Sequence, residues 1–413
     1  MMPHFPSRMI VWIAATSAAA TGCASPPGRG PHARVAGPAA AVRAGSPERA
    51  ARAVPGHRGE LDGVSCPRPA ACVAVGLSLG REPGHFRPLA EAWNGTTWRV
   101  LRTAPLPAGV FGGLGDVSCP AVTRCLAVGS VSSGRAQTGI AEAWNGAGWR
   151  LLRLRYPPGT AASYLTGVSC LRRTCLLVGA YQRRLPGQPL PLAMQLRGGR
   201  VRLLRPAVPA GRTHARLDGI SCAAASACMA VGAYVYPFGH NAPPGLAFAE
   251  AWDGISWRLI DVPTPDRAPD SELGRVSCPA ATRCLATGSF DFLTAVSARP
   301  LTEAWQAGRW RAVAITGQRL KGLFPSGVSC WSASRCVAVG GTLGRTERPG
   351  AELWNGRTLR ALPVPRPARG NLNGISCPAP SRCVAVGVAR RGTLAELWNG
   401  KTWQVLPAPA ITH

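Results

Sequence analysis

The sequence predicts an all-β fold, a seven-bladed β-propeller built from four-stranded antiparallel blades. First, close cysteine pairs recur seven times, as Cys66/Cys72, Cys119/Cys125, Cys170/Cys175, Cys222/Cys228, Cys278/Cys284, Cys330/Cys336 and Cys377/Cys383, with first cysteines 53, 51, 52, 56, 52 and 47 residues apart. Second, tryptophans recur five positions apart as Trp93/Trp98, Trp144/Trp149, Trp252/Trp257, Trp305/Trp310 and Trp398/Trp403. Trp354/Leu359 holds the place in the sixth unit and Leu196/Val201 in the third, the most diverged. Third, 49 Gly and 39 Pro make up about one residue in five of the 413, so turns must be frequent and long helices scarce. A period near 50 residues marks a chain of supersecondary units that bury their faces against one another.

Within the first unit the strands follow in order: GVSC, then CVAVG, then AEAW, then WRVL, separated by Gly- or Pro-bearing turns. The Asn-Gly between the last two, as Asn94-Gly95, Asn145-Gly146, Asn355-Gly356 and Asn399-Gly400, signals a hairpin because both residues tolerate positive φ. Four antiparallel strands repeated seven times suit a propeller, whose sheets cover each other's faces. The repeats run over 61–413.

The unit resembles the kelch or galactose-oxidase-type propeller repeat. A Gly ends the second strand, an aromatic ends the third and a Trp opens the fourth. It departs from kelch in having a Gly-Gly doublet only at Gly340-Gly341 and in carrying a cysteine pair in every unit. It also resembles a family of secreted actinobacterial repeat proteins of unknown function. A copper-radical oxidase of the galactose-oxidase type needs a Tyr-His-Cys constellation, yet every cysteine here except Cys23 has a repeat-mate, so no cofactor is expected.

Six cysteine pairs are C-x5-C and one is C-x4-C, and none has a histidine at ligand spacing. Disulfides are therefore expected in preference to metal sites. Each would close the hairpin between strands one and two and contribute about 2 kcal/mol in the loop-entropy model. Two more residues recur as framework. The serine of GVSC (Ser65, Ser118, Ser169, Ser221, Ser277, Ser329, Ser376) stands in all seven units, whereas a nucleophile should be singular. The third-strand glutamate (Glu91, Glu142, Glu250, Glu303, Glu352, Glu396) is followed by a fourth-strand arginine in five units (Arg99, Arg150, Arg258, Arg311, Arg360), which predicts an ion pair between adjacent strands, although unit three has Gln195 with Arg202 and unit seven has Glu396 with Gln404.

Residues 1–23 read as an export signal: Arg8, an apolar stretch from Met9 to Gly22, and small residues before Cys23. Ala20-Thr21-Gly22-Cys23 resembles a bacterial lipobox, except that Ala20 stands where Leu is preferred. The resemblance implies acylation of Cys23 and a membrane anchor; an ordinary cleaved signal is the alternative. Residues 24–60, rich in Pro, Ala, Gly and Arg, read as a disordered tether. The protein is thus expected outside the cell, at the cell surface or secreted.

The formal net charge is +28, from 47 basic and 19 acidic residues. Nucleic acid is nevertheless an unlikely fit, because the arginines are scattered and only Lys321 and Lys401 are lysines. An anionic cell-wall polymer, a glycan or another surface protein uses the same charge better.

The two sides of the disc differ. The turns joining strands one to two and three to four hold their lengths except for one shorter cysteine spacing, whereas the Gly-to-Glu (or Gln) separation across the second connection runs 15, 13, 16, 18, 15, 12 and 9. Binding loops are expected on that variable face. The longest connection contains Tyr234, Tyr236, Phe238, His240 and Asn241, flanked by Tyr181, Arg183 and Arg184 on one side and Phe290, Asp291 and Phe292 on the other. Blades three to five are therefore expected to carry the contact patch of a binding or scaffold module. The alternative is a carbohydrate-active hydrolase or lyase, with Asp291, Asp270 or Glu272 set against His240 as acid and base.

Overall fold

A computed structural model describes residues 59–80, 84–134, 136–208, 215–234, 245–263, 270–291, 298–313, 322–342, 347–365, 369–390 and 392–411. These form seven four-stranded antiparallel sheets arranged as a β-propeller. Each blade is a simple meander. In blade one, β1 (Gly59–Arg68), β2 (Ala71–Leu79), β3 (Phe86–Trp93) and β4 (Trp98–Leu101) lie side by side in chain order. The first strand of every blade is innermost and meets the first strands of both neighbours. No described helix is long and apolar enough to cross a membrane.

The first strands are longer than the GVSC core suggests; β1 begins at Gly59, two residues ahead of the expected boundary. Each carries a bulge. In β1 the register slips between Leu61 and Gly63, leaving Asp62 outside the ladder, and the equivalent bulged residues include Thr166, Asp218 and Asn373. The bulge explains the recurrent glycine that ends CVAVG. A Cβ on Gly76, Gly129, Gly179, Gly232, Gly288, Gly340 or Gly387 would lie between 1.8 and 2.1 Å from a first-strand carbonyl oxygen. Only hydrogen fits there.

The core lies between blades. The face of blade one bearing Val73, Val75 and Ala90 packs on Leu114, Val117, Trp144 and Trp149 of blade two. The two tryptophans of a unit face each other across the third and fourth strands, Trp93 against Trp98 with ring centroids 5.6 Å apart.

The cysteines pair as expected, each within its own hairpin. Cys66 is bonded to Cys72, Cys119 to Cys125, Cys170 to Cys175, Cys222 to Cys228, Cys278 to Cys284, Cys330 to Cys336 and Cys377 to Cys383. The second cysteine of each link opens the second strand and points into the interface between blades. Cys72, Cys125, Cys228, Cys284, Cys336 and Cys383 are buried there, while Cys175 of the diverged third unit, with its shorter C-x4-C ring, is half-buried. Cys72, Cys125, Cys336 and Cys383 belong to the packed core and Cys175 packs against it, so these cysteines are parts of the frame.

One expectation needs correction. The third-strand glutamate does not pair with the fourth-strand arginine: Glu91 stands opposite Val100, and Arg99 opposite Ala92, so the two side chains project from opposite faces. The glutamate is buried and the arginine exposed. The Asn-Gly signal marks a hairpin as expected, closed by the four residues 94–97 between Trp93 and Trp98. Asn94 Oδ1 accepts from the amides of Thr96 and Thr97 at 3.0 and 2.8 Å, while Gly95 takes φ 100°.

A serine ring binds the blades to one another. Ser65 Oγ accepts from the Cys119 amide at 2.9 Å, and the same bond recurs from Ser118 to Cys170, Ser169 to Cys222, Ser221 to Cys278, Ser277 to Cys330 and Ser329 to Cys377. Ser376 closes the ring onto Cys66. These serines satisfy amides on the inner sheet edges, which have no strand partner of their own.

Candidate functional site

The variable connections and the start of every first strand share one face of the disc, because strand one begins beside the end of strand two, as in the pairing of Gly59 with Ser78. Aligned on the bulge, the residue ahead of the recurrent leucine is Tyr164 in blade three, Arg216 in blade four and Glu272 in blade five. They stand side by side on β9 (Ala162–Leu171), β13 (Ala215–Ala224) and β17 (Asp270–Ala280) at the mouth of the channel.

Arg216 ties this mouth together. Its Nε donates to Asp218 Oδ2 at 3.0 Å within blade four, and its Nη2 donates to Glu272 Oε2 in blade five. Ser289 Oγ adds a 3.3 Å bond to Glu272 Oε1. Asp218, the bulged residue, is 5% exposed, and its Oδ1 has no hydrogen-bond partner. Burial pushes its carboxyl up to about 6, against the pull of Arg216 and with the push of Glu272. Tyr164 is raised too, by burial and by the nearby Asp218 carboxylate.

One step outward, Asp270 opens β17 and stands directly opposite Asp291, the last residue of β18 (Arg283–Asp291). Like charges in register oppose the sheet. Burial and the neighbouring Glu272 and Asp291 raise the Asp270 carboxyl. The corresponding pairs in blades two and three, Phe111 with Ser132 and Ala162 with Gln182, carry no charge.

The sequence-predicted patch falls partly at this mouth. Asp291, Asp270 and Glu272 come together there, and Phe290 sits beside Asp291 on β18. Tyr181 stands near the end of the second strand of blade three, opposite Ser163, while Arg183 and Arg184 are exposed in the connection that follows. Tyr234 stacks on the buried Phe248 at a centroid distance of 4.5 Å, which makes it an anchor of its own blade. Tyr236, Phe238, His240, Asn241 and Phe292 lie outside the described residues, as does Cys23. Tyr164, Arg216 and Asp218 were not foreseen. Aligning the units on the leucine before the bulge would have shown their positions turning polar in successive blades.

On the opposite face a cavity of ≈ 200 Å³ lies between blades four and five, bounded by Trp252, Trp305, Met229, Asp253, Arg258 and Ala281. Asp253 replaces the turn asparagine there. Its carboxylate accepts from the amides of Ile255 and Ser256 at 2.8 and 2.7 Å, which hold it below its ordinary pKa.

No protein-family model matches the chain, and no curated protein matches it. Solved propellers do. "YCF48 bound to D1 peptide" superposes with a TM-score of 0.51 at 11% identity over 83% of this chain and 94% of that one. A polysaccharide lyase, PL25 ulvan lyase bound to -[GlcA(1-4)Rha3S]-, gives 0.54 at 7% identity over 85% and 96%. The β-propeller domain of the trilobed protease from Pyrococcus furiosus, described as having an open velcro topology, gives 0.50 at 9% over 85% and 98%. At such identities the likeness shows the seven-bladed fold alone; it does not single out the kelch type.

Proposed function

We propose that this chain is an extracellular binding module that takes a glycan or peptide ligand at the channel mouth of blades three to five. The observation that carries this reading is the convergence of Tyr164, Arg216, Asp218, Asp270, Glu272 and Asp291 on the face where loop length varies, while the repeated serines, cysteines and tryptophans build the frame. The seven disulfides suit an oxidising compartment. Acylation at Cys23 would hold the protein at the membrane surface, with the arginines of the outer surface facing an anionic wall polymer. Structural neighbours include one protein bound to a peptide and one bound to a saccharide. The test is a binding screen of wall polymers, glycans and peptides against the exported protein and its Arg216→Ala variant; a ligand bound equally by both sinks the reading.

A second reading is supported by the same residues. Asp218, pushed up to about 6, and Glu272 are two carboxyls joined by one guanidinium beside a tyrosine, which is the equipment of a carbohydrate-active hydrolase or lyase. Following turnover in the same screen separates the two, because only an enzyme loses product formation while retaining ligand in Glu272→Gln.

A further inference from the structure

Carboxylates concentrate at one mouth of this basic chain. With 47 basic against 19 acidic residues, any patch of surface should on average be cationic. Yet Asp218, Asp270, Glu272 and Asp291 gather at one mouth with Arg216 as the cation that binds two of them. Arg275, on the same strand as Glu272, turns its guanidinium to the carbonyls of Asp218 and Gly274, at 3.2 Å each. Arg299 stands opposite Phe290 on the third strand of blade five.

Two independent features mark the cluster as unfinished. Asp218 is 5% exposed and its Oδ1 finds no donor, although a buried carboxylate oxygen ordinarily does. Asp270 and Asp291 face each other in register, an arrangement that destabilises a strand pair unless a cation lies between them. Asp291 Oδ1 is likewise buried without a partner. The described residues contain no cluster of His, Cys, Asp and Glu suited to a metal ion. The geometry of Arg216 shows what the site accepts: one guanidinium spans carboxylates from two adjacent inner strands, bonding Asp218 on β13 and Glu272 on β17. A planar fork with several donors matches that spacing, whereas an ammonium acts as a point charge.

We infer that the mouth of blades four and five is a seat for an arginine side chain of a peptide ligand, held by Asp270, Asp291 and Glu272 next to the built-in Arg216. This rests on the binding function proposed above and adds the chemistry of its ligand. The aromatic ring of Phe290 lies on the strand that ends in Asp291, and the chain leaving the long connection of blade four passes close by, with the Gly245 carbonyl accepting from the Ser271 amide at 2.9 Å.

The experiment is calorimetric titration of the exported protein with acetyl-Ala-Arg-Ala-amide, its citrulline and lysine counterparts, and a chitosan tetramer, repeated on the double variant Asp270→Asn/Asp291→Asn. The arginine peptide should bind, and citrulline should weaken it by about tenfold or more, the worth of a charge-assisted hydrogen bond. The double variant should lose affinity to the same degree while its Tm stays level or rises, because the like-charge pair is gone; a merely structural pair would lower Tm. Equal affinity for arginine and citrulline, unchanged binding by the double variant, or no saturable binding of the arginine peptide overturns the inference. Tighter binding of chitosan than of the arginine peptide overturns it in favour of an amino glycan. If the wider screen finds a ligand that Arg216→Ala loses and the double variant keeps, the guanidinium seat falls while the binding function stands.

Discussion

Ser376 Oγ accepts a hydrogen bond from the Cys66 amide at 3.0 Å, across a sequence separation of 310 residues. It is the same bond that links each blade to the next, here made where no covalent connection runs. Around it, Asn373 Nδ2 donates to Glu60 Oε1 at 2.9 Å and to the Leu61 carbonyl at 3.1 Å, and Ile411 packs with Leu61 and Leu89. The ring is therefore shut by side chains and a C-terminal strap, with every sheet contiguous in sequence.

Ser376→Ala should cost about 1 kcal/mol in chemical denaturation, as should Ser221→Ala at an internal interface. Only Ser376→Ala should speed native-state proteolysis near the seam, since the other interfaces remain tied by the chain. Equal proteolysis of the two variants would argue against a weak seam.

Ile411→Ala should cost about 2–4 kcal/mol, because the side chain is buried in the cluster that joins blades one and seven. Gly374→Ala at the same seam should cost about 1–3 kcal/mol, because its Cβ would come within 2.7 Å of the Asp62 carbonyl oxygen. Thermal unfolding of both variants checks the pair.

The six third-strand glutamates should make the protein lose stability as pH rises. Burial pushes Glu91, Glu142 and Glu352 up to about 7 and Glu250, Glu303 and Glu396 up to about 8. Their ordinary value is 4.5, so between there and about 8 the folded state holds protons that the unfolded state has released. The stabilisation is complete below 4.5 and is lost as pH rises through about 8. Glu303→Gln and Glu396→Gln should raise Tm at pH 9 and flatten its pH profile; a Tm that climbs from pH 5 to pH 9 in the unmodified protein would refute this. Gln195 is the native neutral equivalent in blade three.

Replacing Cys222 and Cys228 together by Ser should cost about 2 kcal/mol, the loop-entropy value for so short a ring. Mass spectrometry of non-reduced peptides should find the seven links within blades.

Replacing Cys23 by Ser should release the protein into the medium if the lipobox reading holds. Release of the unmodified protein would refute it.

Fold and frame were legible because repetition exposes them: a residue that recurs in all seven units, like Ser65 or Gly76, has a structural reason that each copy reports again. The glutamate was misread because recurrence reveals an environment without revealing its register. What decides Glu142 is the link from the preceding blade, where the Ala104 amide donates to its Oε2 at 2.9 Å, as Ala207 does to Glu250 at 3.0 Å. The equivalent link residues before Glu303, Glu396 and Glu91 are Pro263, Pro365 and Pro409, which have no N–H to give. Both oxygens of those three glutamates accordingly lack a backbone donor. The mouth was only half legible for the opposite reason. Tyr164, Arg216 and Glu272 share a position yet no chemistry, so they read as variation until the inner strands set them side by side.

The seam has one more consequence. Since the bond from Ser376 to Cys66 repeats the six others and no described strand is exchanged between the ends, the circle of seven serine bonds has no starting point. Which blade counts as the first is a matter of chain order alone, since the same bond joins every neighbouring pair. A circular permutant with its ends joined across the seam and opened in the link between two other blades should therefore fold to the same disc, carrying its acidic mouth to a new place in the chain but not in space.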